Sequence, residues 1–207
     1  MITRELLISN TYNEYDTLFE KSYMIMSENL IDRQKRPTLL GKFIYIDERK
    51  LYDNKENGFW HSSSMGLDDT KFESDPCTND VTKIYCKYRC NCNHEDNFLK
   101  DEDRVPCLYR ADRIPWLLNI LKLVNEEKKD NIKVWTYFDN KKKEKHLKVR
   151  YENDKLDVDY ILIFRISYNK DMSGISSYRL VTSYPVVLKS YKDRFDREYS
   201  NYLKTKK

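Results

Sequence analysis

The sequence predicts an α+β fold: a four-stranded antiparallel sheet packed by helices, with an N-terminal helical extension and a Cys-rich loop insertion. Three observations carry that reading. Four segments between residues 132 and 187 have strand-like apolar patterning and are separated by polar turns. Segments of helical periodicity lie before and after them. Between the N-terminal part and the sheet, four of the five cysteines fall within residues 77–92, in a charged and irregular stretch.

From Thr11 to Ile31 the residues Tyr15, Leu18, Phe19, Ser22, Ile25 and Met26 recur at helical spacing, which predicts an amphipathic helix. Lys35-Arg36-Pro37 breaks it, because proline removes a backbone donor and crowds the preceding turn. Residues 42–47, GKFIYID, read as a short strand. Gly58 and Gly66 bracket NGFWHSSSMG as a tight loop. The stretch 50–105 has little periodicity, and so long an irregular segment is usually functional or stapled by a metal.

Downstream, Asp112 precedes Pro115, a residue favoured in the first helical turn. Ile114, Leu117, Leu118, Leu121 and Val124 then form one apolar stripe that ends near Glu127. Ile132–Phe138 and Lys145–Tyr151, joined by DNKKKE, read as a hairpin. Val158–Ile166 is almost continuously apolar, as expected of a central strand. Tyr178–Val187 is the fourth strand, with Pro185 marking its end or an edge. Ser190-x-x-Asp193 reads as a capping box for a basic helix carrying Phe195, Tyr199 and Leu203. The domain division that follows is an N-terminal helical region at 1–40 and a main domain at 41–207, with the Cys-rich insertion at 67–106.

Composition narrows the class. Of 207 residues, 40% are hydrophobic, and with 17 Tyr, 8 Phe and 3 Trp the core is aromatic. A net charge of +4 suits a polyanionic partner without requiring one. No apolar run is long enough to span a bilayer, so no membrane partner is expected. The first residues, MITRELLISNTYNEYD, lack the pattern of a secretory signal, and an odd cysteine count suits a reducing compartment. The expected location is the cytoplasm.

Alternation on Lys145–Tyr151 places His146, Lys148 and Arg150 on one sheet face and Leu147, Val149 and Tyr151 on the other. An imidazole, an ammonium and a guanidinium in a row suit a phosphodiester. An ordinary solvated strand face is the plainer reading. Arg110 and Arg113 lie three residues apart at a helix start, where anions are favoured. Trp116 beside them is a core residue or a stacking platform. On the last strand, Thr182 and Tyr184 share a face and Ser183 takes the other, so hydroxyls stand near the basic residues. Cys86, Cys90, Cys92 and His94, spaced C-x3-C-x-C-x-H, offer ligands that zinc prefers, for a structural rather than catalytic site. Unligated cysteines remain the alternative. The sequence contains no Gly-rich phosphate loop, G-x-S-x-G elbow or HExxH helix. Its acidic clusters do not form the paired carboxylate sets of a two-metal nuclease.

The ordered segments KENGFWHSSS, YRADRIPW, IKVWTYF, KHLKVRY, VDYILIFRI and LVTSYPV resemble the phage-associated Barnase–EndoU–ColicinE5/D–RelE-like (BECR-fold) nucleases. The resemblance runs from about Lys42 to Lys204 and rests on the order of short motifs. It implies a four-stranded antiparallel nuclease platform and RNA cleavage without a catalytic metal, by attack of the ribose 2′-hydroxyl on the adjacent phosphate. It also implies catalytic roles for His61, Arg110, Arg113, Thr182 and Tyr184. His146, Lys148, Arg150, Ser183 and Trp116 would then contact substrate. TSYP stands where the family pattern has a TAYP-like stretch, and the Cys-rich insertion is no part of that pattern. The expected function is that of an endoribonuclease, phage-borne or belonging to a defence or toxin system. RNA is the expected partner, and an inhibitor or another phage or host protein could bind as well. The alternative is a non-catalytic nucleic-acid-binding module, or a zinc-stapled protein-interaction module.

Overall fold

The computed structural model describes residues 15–66, 104–126, 130–154 and 158–206. The start of the first predicted helix and the whole predicted zinc set (Cys86, Cys90, Cys92, His94) lie outside the described residues.

Helix α1 (Tyr15–Met26) continues into a π-helical turn, Ser27–Ile31. Arg36 closes this end: its guanidinium donates to the carbonyls of Leu30, Ile31 and Ile44 and meets Glu48 at 2.6 Å. The predicted helix breaker is therefore also a buried clasp. It satisfies terminal carbonyls and ties the turn to β1 (Phe43–Tyr45). The short strands β2 (Leu51–Tyr52) and β3 (Lys55–Glu56) pair with each other and lead into α2 (Asn57–Ser63). The predicted FWH loop is therefore a helix. Its apolar Phe59 and Trp60 are buried in the main core, and that packing outweighs the turn signal of the flanking glycines. Gly58 permits the close approach: a Cβ there would lie 2.5 Å from the Ile46 Cγ2 methyl.

Strand β4 (Ser64–Gly66) pairs with β5 (Arg104–Pro106), so residues 66 and 104 are neighbours. A single turn, α3 (Leu108–Ala111), precedes α4 (Ile114–Asn125), which has proline in its first turn as predicted. Four long strands follow: β6 (Ile132–Asp139), β7 (Glu144–Asn153), β8 (Val158–Tyr168) and β9 (Ile175–Pro185). The chain then enters α5 (Lys189–Thr205). No capping box opens α5: Leu188 holds the cap position, with no side-chain cap bond, and Ser190 is already inside the helix.

The predicted four-stranded antiparallel sheet is corrected. The sheet has five strands in the order β1-β9-β8-β7-β6 and is mixed. Strand β1 runs parallel to β9, pairing Phe43 with Ser177 and Tyr45 with Arg179. A three-residue strand carries too little periodicity to announce a partner so distant in sequence. The antiparallel meander β6–β9 is only part of the sheet.

Both sheet faces are covered. Leu147, Val149, Tyr160, Leu162 and Phe164 join Phe19, Met26 and Leu30 of the N-terminal region, and Leu117 and Leu121 of α4, in the larger core. On the opposite face Trp135, Ile161 and Val186 pack around Phe195 of α5. Among the described residues, no helix is long and apolar enough to cross a membrane.

Candidate functional site

Strand β1 flanks β9 only at residues 177–179, and α2 packs against β9 as well. A β-bulge brings two nominated side chains to this place. Ile163 pairs with Thr182 but Phe164 pairs with Leu180, so Val181 is the extra residue. Such an insertion flips the facing of everything after it. Leu180 therefore faces the larger core, whereas Thr182 and Tyr184 stand opposite Ile163 and Ile161 on the other face.

The Thr182 hydroxyl donates to the backbone carbonyl of His61, at 2.7 Å. Arg110 Nη1 donates to the Ser64 carbonyl at 2.8 Å, and its guanidinium lies 4.9 Å from the centre of the Tyr184 ring. His61 is thus in contact with Thr182, and Arg110 with Tyr184 two residues further along β9, and each of the four is partly exposed.

Arg104 is the residue that sequence reasoning missed. Its Nε donates to Ser64 Oγ at 2.7 Å and its Nη2 to the Ser64 carbonyl at 2.9 Å. The same Nη2 is 3.5 Å from the His61 carbonyl. No motif marks it, because it follows the Cys-rich stretch and reaches α2 only through the β4–β5 pairing.

A second layer lies beneath. Arg113 is buried over the Trp116 ring, 5.0 Å from its centre, with Asp112 at 3.7 Å. Trp116 is itself buried and meets Tyr160 edge-on at 5.8 Å, so it is a core residue rather than an open stacking platform. Tyr160 donates to Ser183 Oγ at 3.1 Å, and burial pushes its phenol up to about 12. Ser183 is fully buried as the acceptor of this bond, which corrects its expected place at a substrate surface. Both Arg110 and Arg113 lower the Tyr160 phenol electrostatically, against the larger effect of burial.

The predicted open row His146–Lys148–Arg150 is also corrected. Its alternation is as read, but α5 covers that face, and all three side chains are buried. Lys148 meets Glu198 at 2.6 Å. Arg150 meets Asp159 at 2.6 Å and Asp196 at 2.9 Å. Burial pushes the His146 imidazole below its ordinary value, with Glu144 pulling the other way. It also lies on β7, two strands from β9, and is not brought to His61. These charges belong to a sheet–helix interface, not to a phosphate-binding surface.

Among the described residues, no cluster of three or more His, Cys, Asp or Glu side chains could hold a metal ion, and Cys107 is buried. Comparison with protein-family models, with curated proteins and with solved structures gives no match.

Proposed function

We propose that this chain is a metal-independent endoribonuclease of a phage, toxin or defence system, acting in the cytoplasm where α2 packs against β9. One observation carries the reading. Four of the five residues nominated by the motif resemblance are partly exposed and contact one another in two pairs, His61 with Thr182 and Arg110 with Tyr184, both anchored on β9.

In this mechanism His61 accepts the proton of the ribose 2′-hydroxyl as its oxygen attacks phosphorus. Arg110 has N–H groups left beyond its Ser64 bond, and these neutralise the non-bridging oxygens as charge develops. The phosphorus–oxygen bond to the 5′-oxygen breaks, and that oxygen leaves with a proton from solvent. The products are a 2′,3′-cyclic phosphate and a 5′-hydroxyl. Arg113, buried over Trp116, adds positive potential without touching substrate.

The test is cleavage of a mixed RNA by the full chain in EDTA, with product ends identified. Cyclic-phosphate ends are expected from the wild type, with His61→Gln and Arg110→Gln each reducing the rate by about a hundredfold or more. Salt-sensitive RNA binding without any cleaved product would assign a non-catalytic binding module instead. Loss of wild-type cleavage in EDTA would remove the metal-free mechanism.

A further inference from the structure

Helix α2 is seven residues long, and its last turn carries His61. The last carbonyls of a helix have no partner inside it, so other elements must supply donors. Here the supply is unusually distributed. The backbone N–H of Ser64 serves Trp60, and that of Cys107 serves Ser63 at 2.9 Å. Thr182 of β9 serves His61. Arg104 of β5 and Arg110 of α3 together serve Ser64, the residue just past the helix.

The geometry points to Thr182 and Arg104 as positioning residues that fix the His61 imidazole through its backbone carbonyl, without touching substrate. The assignment rests on the proposed role of His61 as proton acceptor. It differs from what the resemblance implies, a catalytic role for Thr182 itself. A threonine hydroxyl has one proton to donate, and in this structure the His61 carbonyl takes it. The bulge at Val181 is what aims the hydroxyl there. Arg104 acts at the same carbonyl, its fork spanning Ser64 and reaching the His61 oxygen at 3.5 Å. The helix end is thereby held between two elements that are otherwise remote in sequence.

Two readouts on the full chain test this, one of them independent of any RNase activity. Imidazole NMR signals of the RNA-free protein report the setting of His61; kcat and KM on a short RNA report its use. Thr182→Val keeps the shape and removes the donor. It should shift the His61 signals and lower kcat by about tenfold with KM within twofold. Thr182→Ser should restore both. Arg104→Gln should move the same signals, and Arg104→Lys should restore them only in part, since an ammonium cannot span both Ser64 oxygens. A Thr182→Val protein with raised KM, unchanged kcat and unmoved His61 signals would place the hydroxyl on substrate and overturn the proposal. If the wild type cleaves no RNA, the nuclease reading fails by itself. Unmoved His61 signals in both Thr182→Val and Arg104→Gln would still overturn the positioning roles.

Discussion

Lys148 Nζ lies 2.6 Å from Glu198 Oε2, with both side chains nearly removed from solvent. The indole N–H of Trp135 donates to the same carboxylate oxygen at 3.2 Å, and the ammonium stands 4.2 Å from the centre of the Tyr137 ring. A strand face that reads as cationic is therefore one half of an ion-pair layer whose other half is supplied by α5. Burial pushes the Lys148 ammonium below its ordinary value, with Glu198 pulling the other way, so the helix is needed to keep the charge in place.

Removing one partner should accordingly cost more than removing both. Lys148→Met strands the Glu198 carboxylate, and we expect a loss of about 3–5 kcal/mol in urea unfolding. The pair Lys148→Met and Glu198→Gln together leaves a neutral acceptor for Trp135 and should unfold at higher urea than Lys148→Met alone. RNA binding should be unchanged in the double variant. A double variant less stable than the single one would contradict the assignment.

Gly58 sets how closely α2 lies against the segment after β1. Its amide hydrogen points at the Asp47 carbonyl, 3.4 Å away, and an added Cβ would collide with a methyl of fully buried Ile46. Gly58→Ala should destabilise the fold by about 1–3 kcal/mol through overpacking. If the collision is with Ile46, combining it with Ile46→Ala should cost less than the sum of the two single changes. Strict additivity in denaturant melts would show that the strain lies elsewhere.

What the sequence disclosed of this molecule divides by range. Periodicity places β6–β9 and α4 well, because alternation and the 3.6-residue stripe are local properties of Val149, Leu162, Leu117 and their neighbours. It also separates the two faces of β7. It could not say what covers each face, since Asp196 and Glu198 arrive from about 50 residues downstream and read simply as parts of a basic helix. The parallel partner of β9 was hidden for the same reason. At the candidate site, motif order nominates His61, Arg110, Thr182 and Tyr184, while Arg104 has no local signature. Thr182 was placed on the correct face but with another partner in view, because a backbone carbonyl as acceptor leaves no trace in sequence.

The junction of β1 and β9 should be acid-labile. Asp47 is bound bidentately by Arg49, at 2.9 and 3.0 Å, and also meets Arg179 of β9. Hydrogen bonding from Arg49, helped by Arg179, holds its carboxyl down from 3.8 to about 2 against the opposing effect of burial. A depressed folded value means that the stabilisation is complete above the unfolded value and is lost as pH falls. The window is therefore from about 4 down to about 2. Unfolding free energies of the wild type and Asp47→Asn should differ at pH 5 and converge toward pH 2. A gap that stays constant across this range would rule out the carboxylate as its source.

Tyr184 offers the sharpest separation of ring from hydroxyl at the candidate site. Its ring supports the Arg110 guanidinium at 4.9 Å, while Arg110 Nη1 is held by the Ser64 carbonyl, so the arginine is fixed from two sides. A cation–π contact at a partly exposed position contributes about 0.5–1 kcal/mol, or roughly two- to fivefold in an equilibrium or a rate. If support of Arg110 is what Tyr184 provides, Tyr184→Phe should retain RNA affinity and turnover within about twofold, because the ring remains. Tyr184→Leu should lose about two- to fivefold in both. Arg110→Lys should lose more than Tyr184→Leu, since an ammonium cannot keep the Ser64 bond and present a planar fork to phosphate at once. The salt dependence of RNA binding gives an independent check. Arg110→Gln should reduce the slope of log affinity against log salt by about one, whereas Tyr184→Leu should leave it unaltered. A Tyr184→Phe protein as impaired as Tyr184→Leu would instead assign the phenolic hydroxyl to the reacting phosphate.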